Sequence, residues 1–258
     1  MGVRHLEMNR AIFLLLSLML MSCTGIYKAA TGTYKFYKVT DDRVDYYSWN
    51  PMSERYYIKE LKGADSSTFK QISVEYGRDI NSVFHHSTMM EFADPESFKL
   101  INDYYAIDKN NAYFIGQIIS GSDPKTLKYI GNSWSRDKNN YFYRQNNVKV
   151  CDMPSFKFSS DKFASRAYDK DCYFVEGEKV AVNDIASLEV LPGNYAKDKF
   201  TVYWGKVILE NADPKTFKVK SIGSFSIAKD ANHCYSATQI LSCTDLNPEG
   251  QKFCGCSE

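Results

Sequence analysis

"FADPESFKLINDYYAIDKNNAYF", residues 92–114, contains two phrases that return along the whole chain. The first, Asp-Pro-x-Ser/Thr-Phe-Lys, begins here at Asp94. It returns at Asp65, Asp123, Asp152, Asp184, Asp213 and, frayed, at Asp245. Successive steps are 29, 29, 29, 32, 29 and 32 residues. The second phrase, Asp-Lys-Asn followed by aromatics, begins at Asp108 and returns at Asp137, Asp169 and Asp198, with weaker versions at Asp79 and Asp230. Each second-phrase Asp precedes the next first-phrase Asp by 15 residues, whereas the return interval is 14 or 17. A fixed half alternating with a tolerant half points to tandem structural repeats whose loops absorb insertions.

The fixed half reads as a β-hairpin. Four residues after the second Asp stand Val83, Ala112, Tyr141, Tyr173, Val202 and Cys234. Eleven after it stand Met90, Ile119, Val148, Val180, Leu209 and Leu241. Between these columns lie Gly116, Gly177, Gly205 or Asn146-Asn147, the residues of tight turns. The variable half is expected to end in a third strand. In the first phrase, Asp suits an N-cap and Pro the first helical position, so the phrase predicts one capped turn. Its column Phe69, Phe98, Leu127, Phe156, Leu188 and Phe217 is expected to plug the gap between units. The following Lys70, Lys99, Lys128, Lys157 and Lys218 are expected to stay solvated, since stacked ammonium groups repel. The fold class is therefore all-β, a tandem array of 29–32-residue units in an elongated meander or solenoid. A β-propeller is the alternative, although its blades run to about 40 residues or more.

These residues resemble the DKNYY family, whose units carry an Asp-Lys-Asn start, paired aromatics and an Asp-Pro-x-Thr-Phe turn. The resemblance covers roughly Ala64 to Asp245 and is sharpest at 93–150 and 198–220. Pro is replaced by Ser66, Met153 and Ile185. The resemblance implies a repetitive exported bacterial protein and supplies no catalytic residue. On this reading Asp94, Asp108, Asp123, Asp137, Asp152, Asp169, Asp198 and Asp213 are structural.

Upstream, Arg4 and Arg10 precede the apolar run Ala11 to Met21, which has the geometry of a signal peptide and is too short to span a bilayer. Translation starting at Met8 would keep the same features. "LMSC", Leu20 to Cys23, resembles a lipobox, which predicts cleavage after residue 22 and lipidation of Cys23. Thr24 after that cysteine fits outer-membrane sorting in a diderm cell. Residues 23–62 read as an anchor plus a divergent, strand-rich first unit, 63–246 as the repeats, and 247–258 as a cysteine-rich tail. "DDRVDYY" at 41–47 resembles a hairpin start at the wrong distance from Asp65. The even set Cys151, Cys172, Cys234, Cys243, Cys254 and Cys256 predicts disulfides in an exported chain. Neighbourhood favours Cys151–Cys172 and Cys234–Cys243, with Cys254 and Cys256 pairing elsewhere or forming a labile pair.

The balance of 32 Lys+Arg against 31 Asp+Glu argues against a nucleic-acid partner. His85-His86 replaces aromatic hairpin residues; adjacent strand positions face opposite ways, so the pair is not expected to share an ion. His233 beside Cys234 is expected to neighbour a disulfide. The Asp-x-Asn phrases lack the Gly and closing Glu of calcium loops, and turn-forming roles are expected instead. No metal, cofactor or catalytic residue is assigned. The expected function is a non-catalytic, palmitate-labelled lipoprotein of the bacterial cell envelope, attached to the membrane through its N-terminal lipid. Its repeat scaffold would engage a protein or glycan partner. An envelope hydrolase or thiol-redox protein is the alternative.

Overall fold

The computed structural model describes residues 36–256 apart from 51, 54, 160–164 and 223–224. The signal segment and Cys23 lie outside the described residues. What is described is all-β: seven antiparallel sheets follow one another, the first with three strands and the other six with four. Within every sheet each strand pairs with its neighbour in the chain. The only α-helix among the described residues is Pro248–Cys254, and no described helix is long and apolar enough to cross a membrane.

The third sheet shows how one unit is made. Its strands are Lys99–Leu100, Tyr105–Ile107, Ala112–Phe114 and Gln117–Ile118. The expected hairpin is the second pair of strands. Its turn places Ile115 at φ 48° and Gly116 at φ 72°, the left-handed pair that matches strand twist. The expected third strand is instead two strands with a turn of their own. Asn102 closes that turn, its side-chain oxygen accepting the N–H groups of Tyr104 and Tyr105. Two-residue strands such as Lys99–Leu100 are too short to show alternation in sequence. A second correction concerns Asn146-Asn147. They lie in the strand Asn146–Val148, and Arg144, at φ 56°, takes the turn. Register decides this: Tyr143 pairs with Asn146, which leaves only two residues between the strands.

Length variation falls where expected. Of the two 17-residue returns, that of the seventh sheet lengthens its first two strands, Lys218–Ile222 and Phe225–Lys229, and that of the fifth adds residues between Lys157–Phe158 and Arg166–Tyr168.

The central strands are buried on both faces, as in Ala112–Phe114, Tyr141–Tyr143 and Tyr173–Val175. The chain divides into two compact units, residues 1–117 and 118–258, and within each the phenylalanine column plugs the space between consecutive sheets. Phe69 lies 5.2 Å from Tyr37 and 6.1 Å from Phe84; Phe98 lies 5.7 Å from Tyr76 and 5.9 Å from Tyr113. Phe156 bridges Trp134 and Phe174, and Phe217 bridges Tyr195 and Tyr235. In each case one ring belongs to the preceding sheet and one to the plug's own sheet. Such tilted pairs add roughly 0.5–1.5 kcal/mol each beyond area burial. The lysines that follow are exposed.

A column of small residues makes room for the plug: Gly77, Ala106, Ser135, Ala167, Ala196 and Ala228, all buried. At Gly77 a Cβ would stand 2.3 Å from Phe69 Cζ.

The first sheet, Tyr37–Val39, Val44–Asn50 and Arg55–Glu60, is the divergent unit. Thr40 takes the place of the second-phrase Asp: its N–H donates to Arg43 C=O as that of Asp108 donates to Asn111 C=O. Leu61 and Ala64 repeat the bonding of Met90 and Ala93. From Thr40 to Asp65 is 25 residues rather than 15, so this hairpin is ten residues longer than the others. That is why the spacing of "DDRVDYY" misfits.

At the other end the helix Pro248–Cys254, capped by Asn247 and by Gly255 at φ 80°, covers a cluster of Ile222, Ile227, Cys234 and Leu246. Three disulfides form: Cys151–Cys172 as expected, then Cys234–Cys254 and Cys243–Cys256. The expected Cys234–Cys243 bond does not form, because the register sets Leu241 opposite Cys234 and Cys243 lies beyond the strand end. Cys254 and Cys256 pair with separate partners rather than with each other.

Ala228→Leu, which overfills the space under Phe217, is expected to destabilise the protein by about 1–3 kcal/mol. Urea unfolding of the two proteins side by side measures this.

Candidate functional site

The recurring polar residues form one network per unit. Asp108 is 5% exposed and its Oδ1 accepts the N–H groups of Asn110 and Asn111 at 2.7 Å each. Its Oδ2 reaches back along the chain to accept the N–H of Asp94 at 2.9 Å, and Tyr113 Oη donates to the same oxygen at 2.6 Å. Asp94 in turn accepts from Ser97 Oγ at 2.6 Å, and Ser97 Oγ accepts the N–H of Lys109 at 3.0 Å. Lys109 Nζ closes the circuit 2.7 Å from Asp94 Oδ2. Asp94 and Ser97 of the first phrase and Asp108, Lys109, Asn110 and Tyr113 of the second are all joined in this circuit.

The arrangement recurs. Asp79, Asp137, Asp169, Asp198 and Asp230 accept the N–H of Asp65, Asp123, Asp152, Asp184 and Asp213 at 2.8–3.0 Å. Lys138, Lys170 and Lys199 pair with Asp123, Asp152 and Asp184. Tyr203 and Tyr235 repeat the Tyr113 bond. Carboxylates surrounded by N–H and O–H donors sit in positive potential, which disfavours a cation; these residues act as turn anchors, as their types suggested. Lys109 and Ser97 hold the Asp94 carboxyl down at about 2. For Asp198 and Asp230 burial pulls the pKa up, but the donors overcome it and the net shift is downward.

The unit breaks pattern in three places. The first is the lengthened hairpin, which exposes Trp49, Met52, Tyr56, Tyr57 and Ile58. The rings of Trp49 and Tyr56 lie 4.8 Å apart, and the outer strand Arg55–Glu60 is exposed along its whole length. The second is the disulfide-tied end. His233, beside Cys234, lies with Nδ1 4.0 Å from Asp230 Oδ1, and Cys234 is bonded to Cys254. The third is His85-His86, and here the strand-alternation argument fails. His86 is at φ 55°, in the turn, so its ring comes back beside that of His85, with centroids 4.2 Å apart. Glu75 stands with them: one ligand atom from each of Glu75, His85 and His86 lies within 4.8 Å of the others. Burial, then the nearby His86, holds His85 down at about 4, and burial lowers His86 as well. Glu75 was not singled out in the sequence. The signal that could have found it is its place opposite the histidine pair across one strand pairing.

With these features in view, the family model for DKNYY matches residues 86–147 and 163–249, more than half of the chain. No curated protein and no solved structure matches it.

Two outcomes follow for stability. Asp198→Ala leaves the N–H groups of Asp184, Phe200 and Thr201, and Tyr203 Oη, without their acceptor and is expected to cost at least about 3 kcal/mol in urea unfolding. Lys199→Ala should change little, because its pair with Asp184 is exposed. Acid should act in two windows. A depressed histidine pKa stabilises above the unfolded value of 6.5 and is lost as pH falls towards 4, whereas the depressed carboxyls lose their contribution below 3.8, towards 2. In chelating buffer, His85→Phe should reduce the upper loss to the share that His86 carries and leave the lower one unchanged.

Proposed function

The chain belongs to the DKNYY family, and from that premise we propose that it is a non-catalytic lipoprotein of the bacterial cell envelope. In this reading Cys23 carries the lipid that holds the protein to the membrane, the outer membrane in a diderm cell. The repeats form a scaffold, and the lengthened first hairpin presents the contact surface to a protein or glycan partner.

The observation that carries the reading is the division of labour among residues. The Asp and Ser/Thr side chains of the motif are consumed by hydrogen bonds within their own units, and its Phe by packing. Trp49, Tyr56 and Tyr57 instead stand exposed on the one hairpin that has been lengthened. Exposed aromatics give large contact area at small entropic cost and are enriched where binding energy concentrates. The outer strand Arg55–Glu60 is also a sheet edge, whose backbone groups can pair with an extended partner segment. Its charged Arg55, Lys59 and Glu60 fit a strand that must avoid indiscriminate pairing.

Cells fed labelled palmitate should label the wild type and not Cys23→Ser, and soluble, unlabelled wild-type protein would contradict the anchor. Crosslinking in intact cells should capture a saturable partner that Trp49→Ala/Tyr57→Ala loses by at least about tenfold. Capture unaffected by that double substitution would contradict the role given to the hairpin.

A further inference from the structure

Glu75, His85 and His86 depart from the repeat together. Backbone bonds fix the equivalence: the N–H groups of His86, Ile115, Arg144, Glu176 and Gly205 donate to the carbonyls of Glu75, Tyr104, Ser133, Ser165 and Asn194. Cross-strand register places His85 where other units have Phe114, Tyr143, Val175 and Trp204. One aromatic or aliphatic position and the turn position after it, held elsewhere by Ile115, Arg144, Glu176 and Gly205, have become imidazoles, and a turn residue facing them has become a carboxylate. Glu75 and the histidine pair, ten residues apart in the chain, converge at one end of one sheet.

Their surroundings are rigid. Tyr37 Oη donates to Glu75 C=O at 2.8 Å, and His86 N–H donates to the same carbonyl at 2.6 Å. Tyr46 stacks on His86 at 5.0 Å. The turn of the next hairpin presses on His85 so closely that a Cβ on Gly116 would lie 2.8 Å from His85 Cβ. Within this frame His85 Nε2 is buried and has no hydrogen-bond partner, with Glu75 Oε2 3.6 Å away. A buried, unpaired ring nitrogen is costly, and a ligand that uses its lone pair would relieve that cost.

We propose that Glu75, His85 and His86 form a binding site for a divalent transition-metal ion of the zinc class, with a further coordination position open. Two imidazoles and one carboxylate are the donor set of such ions, whereas calcium and magnesium take oxygen ligands. In a tetrahedral zinc site, ligand atoms about 2.0–2.1 Å from the ion stand roughly 3.3 Å apart. The observed 3.6 Å and the 4.8 Å limit contract to that value by side-chain rotation, with the backbone frame unchanged. The carboxylate offsets half of the ion's charge, and three protein ligands leave room for water or an external ligand.

The test uses the purified protein, freed of any tag, stripped of metal and titrated with Zn2+ by calorimetry. One ion per chain should bind with roughly micromolar or tighter affinity. Glu75→Ser and His85→Phe restore residue types that the repeat carries at Ser133 and Phe114, and each should weaken binding at least about tenfold. A footprint with diethyl pyrocarbonate on the wild type keeps the test independent of how the variants fold. Zn2+ should protect His86, the less enclosed of the pair, and leave His233 reactive. Failure to saturate below millimolar Zn2+, affinity unchanged in both variants, or protection centred on His233 would overturn the site.

Discussion

The structure depends on one buried carboxylate per unit that answers two separate stretches of chain. Asp108 holds the turn it begins, through Asn110 and Asn111, and also the N–H of Asp94, fourteen residues earlier. A carboxylate at 5% exposure is tolerable only because both oxygens are met by donors. Its desolvation cost therefore enforces the link: if the earlier turn came away, a buried acceptor would lose its donor. The four short strands of a unit, two or three residues each in the third sheet, could not hold that geometry alone.

That constraint explains why the motif reads as it does. Asp-x-x-Ser/Thr is needed so that the hydroxyl both donates to its own Asp and accepts from the residue after the second Asp. Lys suits that next position because it can return to the first carboxylate. Phe after the hydroxyl follows from packing, since the turn points it at a gap between sheets floored by Ala or Gly. Where the unit has Ile80 or Ala231 instead of Lys, the backbone bond to the hydroxyl remains and the ion pair is lost. The hydrogen bonds thus carry the circuit, and the exposed ion pairs add little.

Much of this was legible because the constraint acts at fixed spacing. The repeat, the hairpin in the 15-residue half, the phenylalanine plug and the solvated lysines all leave marks in single columns. Other features leave none. The additional strand of the third sheet, Lys99–Leu100, is two residues long, too short for alternation. Thr40 performs the backbone role of the marker Asp without being one, which hid the lengthened hairpin. Disulfide connectivity followed from the helix Pro248–Cys254, whose position no local spacing encodes. The histidine pair was misjudged by strand logic, since a turn at φ 55° reverses which way a side chain points. Glu75 gains meaning only across the strand pairing.

Amide hydrogen exchange read residue by residue tests the central link most directly. Asp94, Asp123, Asp184 and Asp213 lie in connections outside the strands, where amides ordinarily exchange fast. If their N–H groups are bound to Asp108, Asp137, Asp198 and Asp230, they should be protected like the central-strand amides of Tyr113 and Tyr203. Exchange of these four amides at the rate of exposed loops, with the strands still protected, would contradict the account.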